Sequence, residues 1–153
     1  MHIQTQHHYQ ASPAAVRAML ANPAFWESLA DGCKGTATDN GVQVALSVPA
    51  PAQARRITGD TINADLEASW KPEGDGYAGP IILKAQGLPA SFAGTTTISP
   101  DGDGSTVDYA GELSIRLPLV GPSLEKQAEP YLMRVINAQE AKGAEWLAAH
   151  PGE

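Results

Sequence analysis

The stretch Glu112–Leu132, ELSIRLPLVGPSLEKQAEPYL, is where the chain changes period. Up to Ile115 the apolar residues recur at every second position, the repeat of a strand with one buried face. From Ser123 onward they recur at every third or fourth, the repeat of an amphipathic helix. Pro118, Gly121 and Pro122 stand between the two. Pro118 has no N–H to give a neighbouring strand. Gly121 permits a sharp turn, and Pro122 with Ser123 supplies a helix start. The stretch reads as a hinge that swings one long helix, Ser123–His150, back over the sheet before it. Pro130 falls inside that helical pattern. It predicts a kink near Lys126–Pro130, or a helix proper that begins at Pro130.

Upstream of the hinge the strand pattern dominates. His2–Gln10 alternates weakly, with Ile3, Thr5, His7 and Tyr9 on one face. Ser12-Pro13 then opens a helix with Val16, Met19 and Leu20 at helical spacing, and Asn22-Pro23 ends it. AFWESLA forms a second short helix. GVQVALSVP turns Val42, Val44, Leu46 and Val48 to one side. APAQARRITG reads as a loop or helical turn. DTINADLEASW alternates with Ile62, Ala64, Leu66, Ala68 and Trp70 inward and Asp65, Glu67 and Ser69 outward. KPEGDG and PDGDG read as hairpin turns. Between and after them run YAGPIILKAQGLP, SFAGTTTIS and STVDYAGELSIRL. In the first of these, Ile81 and Leu83 point inward, and Gly79-Pro80 marks an edge or a bulge. Short connections make the sheet antiparallel. Its apolar face must be covered, and a terminal helix of about 27 residues, roughly 40 Å long, reaches across it. The expected class is α+β: a curved antiparallel sheet of about six strands around a long C-terminal helix, with two short helices after the first strand. Residues 1–150 form a single domain and 151–153 a tail.

The formal charge of −7, with 17 acidic against 10 basic residues, repels phosphate backbones and disfavours nucleic acid as a partner. Arg55-Arg56 is the only adjacent basic pair. The single cysteine, Cys33, makes no internal disulfide and no metal-ligand pair, which fits a cytoplasmic location. MHIQTQHHYQ lacks the basic-then-apolar order of a secretory signal. No apolar run approaches a membrane span of about 20 residues, so stable insertion in a membrane is not expected.

The opening HHYQASPAAVRAMLANPAFW and the closing GELSIRLPLVGPSLEK, with GLPASFAGTTTISPDGDGSTVDYAGE between, carry a resemblance that covers nearly the whole chain. The chain resembles the START/Bet v 1-like superfamily, also called SRPBCC or helix-grip. Within it, the chain looks like an uncharacterised bacterial domain-of-unknown-function branch with a Pro-Leu-Val-Gly hinge. The resemblance implies a cavity between sheet and terminal helix that holds an apolar or amphipathic molecule. It implies little about chemistry, since fold alone does not select a function.

Apolar side chains with a few polar handles suit a small-molecule site as well as a filled core. The residues taken as ligand-binding are Leu66, Trp70, Leu83, Phe92, Tyr109, Leu113, Tyr131, Val135 and Gln139. Gln139 and Gly143 interrupt the apolar stripe of the helix; the glycine leaves space and favours a hollow. His7 and His8 are adjacent on a strand, point to opposite faces and cannot share a metal. DGDGSTVDYAGE places Asp101, Asp103, Ser105 and Glu112 at calcium-loop positions, but Thr106 stands where that loop needs glycine. A hairpin is the better reading. No metal and no cofactor is expected, GELSI is not a nucleophile elbow, and no catalytic constellation stands out.

The function expected is a binding or carrier protein for a small hydrophobic or amphipathic molecule, lipid-like or polyketide-like. One alternative is a polyketide cyclase or aromatase-like enzyme drawing on His7, Tyr109, Tyr131 or Arg116, no two of which have a spacing that enforces contact. The other is a ligand-free protein-interaction or stress-related accessory domain, for which Trp26 and Trp146 are the surface aromatics to examine.

Overall fold

The computed structural model describes all residues except 30, 31, 51, 53, 54, 88, 117–120 and 150–153. For Val48, Ile57, Thr58, Pro122, Leu124, Gln127, Ala128, Tyr131, Leu132 and Val135 only the backbone is described. The elements are β1 (His2–Tyr9), α1 (Pro13–Leu20), α2 (Pro23–Leu29), β2 (Lys34–Ala37), β3 (Gly41–Pro49) and α3 (Arg55–Thr58). There follow β4 (Thr61–Ser69), β5 (Lys71–Glu73), β6 (Gly76–Ala85), β7 (Ala90–Asp101), β8 (Gly104–Ile115) and α4 (Gly121–Ala149).

Local chemistry starts the short helices as the sequence suggests. Ser12 Oγ accepts the Ala15 N–H at 3.2 Å and Pro13 occupies the first turn of α1. Asn22 Oδ1 accepts the Ala24 N–H at 3.0 Å, so one residue closes α1 and caps α2. The buried faces are Val16, Met19 and Leu20 on α1, and Phe25 and Trp26 on α2.

All pairings are antiparallel, in the order β1-β8-β7-β6-β4-β3-β2, with β5 beside β6. Six strands were legible by alternation. The two others, β2 and β5, span four and three residues, too short to show a period. Gly79-Pro80 is not on an edge: β6 is central. The same register, Ala68 opposite Ile81 and Lys71 opposite Ala78, holds on both sides of a gap in pairing. In that gap Pro80 has no N–H to offer, and the Trp70 N–H turns away to Asn40 O at 2.8 Å. The gap interrupts the ladder between β4 and β5 without inserting a residue on either strand, so it is not a bulge. PDGDG closes the β7–β8 hairpin, with Asp101 opposite Gly104.

Consecutive strands β1 and β2 stand at opposite ends of the sheet order. The chain between them, α1 and α2, has to cross the inner face. α1 lies against β6, β7 and β8, α2 against β2 and β3, and α4 against β1, β8, α1 and α2. The cover is therefore shared among three helices and is not the work of the terminal helix alone.

α4 is helical from Gly121, so it does not begin at Pro130. The hinge at Pro118 and the expected end at His150 lie outside the described residues. A contact near each end helps fix the helix. Near its start, Glu125 Oε2 accepts the Ile115 N–H at 3.0 Å, at the end of β8. Near its end, Gly143 rests on the Tyr9 ring: an added Cβ would stand 2.7 Å from Tyr9 Cε1 and 3.0 Å from its hydroxyl. This corrects the sequence expectation for Gly143. The room left by its missing side chain is filled by Tyr9 and is no hollow.

Alanine normally outscores glycine in a helix by about 1 kcal/mol. Gly143→Ala is expected to lose stability instead, by about 1 kcal/mol or more, because Tyr9 cannot withdraw from a packed interior. In a Tyr9→Ala background the same change becomes neutral or stabilising. Urea unfolding of the four proteins of this cycle checks the sign.

Candidate functional site

Register puts one continuous row of side chains on the inner face. Tyr9, His7 and Ile3 stand opposite Ser105, Val107 and Gly111, which stand opposite Pro100, Ile98 and Gly94. Further across, Leu113, Phe92, Leu83 and Leu66 form one rung of cross-strand neighbours. Gly94 faces Gly111, and a Cβ on either would run into the backbone of the neighbouring strand, at Ala110 and Ala93 respectively. The sheet bends there, and the inner face is left bare between the two halves of the row.

Cover is uneven along the strands. On β4 and just past it, exposure rises from 1% at Trp70 through 4% at Ala68 and 7% at Leu66 to 8% at Ala64. On β7 and β8, Ile98 and Val107 are at 0%, Phe92 at 6% and Leu113 at 9%. Leu46 and Leu83 are half-buried. One end is sealed by Val16, Leu20 and Phe25, with Trp146 edge-on to Phe25 at 5.7 Å between centroids. The other end thins out toward Ala64, Leu66, Leu83, Phe92 and Leu113. Among the described residues, none of α1, α2 and α4 approaches β4 closely along its length.

Between the two ends sits a polar cluster. The His7 ring is fully buried, 5.1 Å from the Tyr109 ring and tilted 62° to it. Its Nδ1 lies 3.4 Å from the Tyr9 hydroxyl. Burial lowers the His7 pKa from the usual 6.5, partly offset by the Glu140 carboxylate and the Asn137 side chain. Burial also raises the phenols of Tyr9 and Tyr109 beyond their ordinary range. Gln139 on α4 faces the Tyr109 hydroxyl. Yet Tyr109 Oη, His7 Nε2, Gln139 Nε2 and Thr96 Oγ1 are buried with no hydrogen-bond partner among the described residues. Such atoms are rare in folded proteins and call for water or a ligand.

The sequence-named residues divide by place. Leu66, Leu83, Phe92 and Leu113 gather on one rung at the thinly covered end. Tyr109 and Gln139 meet in the polar cluster. Trp70 belongs to the sealed end, with its Nε1 unpartnered among the described residues. The side chains of Tyr131 and Val135 lie outside the described residues. Sequence reasoning missed that His7 and Tyr109 touch. The signal was present, since both sit on inward faces, but the pairing of the first strand with the last is not written in either. Arg116 is exposed, and its backbone N–H bonds Pro89 O. Trp26 is buried and donates Nε1–H to Leu20 O at 2.7 Å, and Trp146 is half-buried, edge-on to Phe25.

On the outer face, Glu67 accepts from Gln43 at 2.9 Å and Asp65 from Gln86 at 3.0 Å, a solvated acidic surface with amide partners. Two open hollows of about 200 and 390 Å³ lie around Gln43 and Glu67, whose polar groups are already paired with each other. Cys33 is buried, and burial raises its thiol pKa, which makes it a weak nucleophile. No cluster of His, Cys, Asp and Glu suited to a metal occurs among the described residues. Nor is any described helix long and apolar enough to cross a membrane.

A bent antiparallel sheet gripping a long C-terminal helix, with two short helices after the first strand, is the helix-grip architecture of START and Bet v 1-like proteins. Solved structures agree on the fold. TTHA0849 from Thermus thermophilus superposes with a TM-score of 0.73 at 13% identity, covering 99% of this chain and 100% of that one. A START superfamily protein from Mycobacterium smegmatis gives 0.62 at 15% identity, covering 95% and 98%. Human STARD10 gives 0.62 at 13% identity, covering 97% of this chain and 66% of that one. No curated protein matches the chain. The chain belongs to the family described as Protein of unknown function (DUF2505), which matches residues 4–147.

Because folding lowers the His7 pKa, the unfolded chain binds more protons below pH 6.5. The stability held by neutral His7 is complete above that value and is lost as pH falls below it. Urea unfolding at pH 7.5 and 5.5 is expected to show this decline, at most about 1.4 kcal/mol per pH unit. A His7→Gln variant is expected to show a shallower one.

Proposed function

We propose that the protein is a carrier or binding module for a small apolar or amphipathic molecule, held between the thinly covered end of the sheet and the first half of α4. The observation that carries this reading is the burial gradient. All of β3, β4, β7 and β8 run from sealed to thinly covered in the same direction. A pocket with its mouth at that end accounts for a gradient shared by these four strands. The side chains at that end are Leu46, Ala64, Leu66, Leu83, Phe92 and Leu113, an apolar wall of the kind that encloses small ligands. The fold supports the reading without naming the ligand.

A second reading, an enzyme of the cyclase kind, is favoured by the adjacency of His7 and Tyr109. It requires a neutral acid–base pair to act on a bound carbonyl. Conversion of an added poly-β-carbonyl substrate, lost in His7→Gln, would establish it; equal rates with and without protein would exclude it.

Native mass spectrometry of freshly purified protein tests the carrier reading. A discrete adduct, lost on denaturation, is expected. Ala64→Phe, which fills the wall from its inner face, is expected to weaken loading by roughly tenfold or more with little change in thermal midpoint. A clean apo mass together with no uptake of the apolar fluorophore phenylnaphthylamine would overturn the reading.

A further inference from the structure

We propose that His7, Tyr109 and Gln139 form a donor-lined recess at the inner limit of the pocket that takes the carbonyl oxygen of a neutral, otherwise apolar ligand. The inference rests on the carrier reading and specifies its ligand class.

Three observations converge. The first is position. Tyr109 lies between the sealed rung of Val107 and Ile98 and the thinly covered rung of Leu113 and Phe92. The bare patch at Gly94 and Gly111 separates it from the latter. A molecule entering from the thin end meets apolar walls first and the polar cluster last.

The second is polarity. The Tyr9 hydroxyl and the His7 Nδ1 lie 3.4 Å apart, within hydrogen-bond reach. When the hydroxyl donates there, the neutral imidazole carries its proton on Nε2. The atoms left without a partner there, among the described residues, are His7 Nε2–H, Tyr109 O–H and the Gln139 Nε2 amide, all able to donate, and the hydroxyl of Thr96, opposite Tyr109, which can donate or accept. Donors outnumber acceptors in this set, so a ligand oxygen that accepts is the group it is best placed to take. A carbonyl oxygen, with two lone pairs, can satisfy two of the three donors at once.

The third is charge. Among the described residues no cationic side chain enters the recess: burial lowers the His7 pKa and favours its neutral form, and Glu140 is engaged at the rim by the His8 N–H at 2.8 Å. A carboxylate or phosphate head would be desolvated there without a counter-charge, whereas a ketone, ester or amide would not. A buried donor also penalises a ligand that cannot pair with it, so the recess discriminates as well as binds.

Methyl naphthyl ketone and ethylnaphthalene are near-isosteres that differ by the carbonyl, and their dissociation constants can be measured by calorimetry on the full chain. The wild type is expected to favour the ketone on the order of tenfold. The bound C=O stretch is expected to shift to lower frequency. Tyr109→Phe and Gln139→Leu should each bring the affinity ratio toward one and reverse the stretch shift, with ethylnaphthalene binding unchanged. Tyr109→Phe should also keep or raise the thermal midpoint of the unliganded protein, since it deletes an unsatisfied buried hydroxyl. A wild-type ratio of one, or a ketone preference intact in both variants, overturns the recess while leaving the carrier reading in place. Failure of both naphthalenes to bind overturns the two together.

Discussion

Everything in this fold depends on the pairing of the first strand with the last. His2–Tyr9 lies antiparallel to Ser105–Glu112 along its whole length. That pairing puts β1 and β2 at opposite edges of one sheet, so the helices between them must lie across its inner face. It also brings Tyr9 to the point where α4 ends, and Gly143 is the residue that lets the helix close down on it. At the other end Glu125, one turn into α4, ties the helix to the end of β8, and the hydrogen bond from the Ile115 N–H holds its carboxyl below the usual pKa. The helix is thus pinned at both ends over a sheet that it does not touch evenly.

The uneven contact has a physical origin. Where α1 and α2 cross, large side chains such as Phe25, Met19 and Leu20 fill the concavity against Trp70 and Ile98, each contributing about 1.5–3 kcal/mol by leaving water. Farther along the strands the two short helices have ended, and among the described elements α4 lies along β1 and β8 while α3 meets β4. The polar cluster marks the boundary between these regimes. His7, Tyr109 and Gln139 are too polar to help seal a core and too deeply buried to be served by bulk water. Their cost is understandable at the inner limit of a pocket and hard to explain inside a filled interior.

Much of this was legible in the sequence because alternation is unambiguous when one face is buried. Val42, Val44, Leu66, Ala68, Ile81 and Phe92 all point where the period of two sends them. The helix starts at Ser12-Pro13 and Asn22-Pro23 were equally readable, since capping is a local event. What escaped was set by contacts between distant segments. Gly143 read as open space because nothing local says that Tyr9 will stand against it. His7 and Tyr109 read as separate histidine and tyrosine problems because their meeting follows from strand order, which periodicity does not encode. The division of the inner face into sealed and thin ends likewise needed the position of α1 over β6, β7 and β8.

Crystals of the protein pressurised with xenon test the central claim most directly, because xenon settles in apolar space that side chains leave unfilled. The account predicts xenon density bounded by Leu66, Leu83, Phe92 and Leu113, and none beside Phe25 and Trp70. Xenon absent from the first place, or found only in the second, would contradict it.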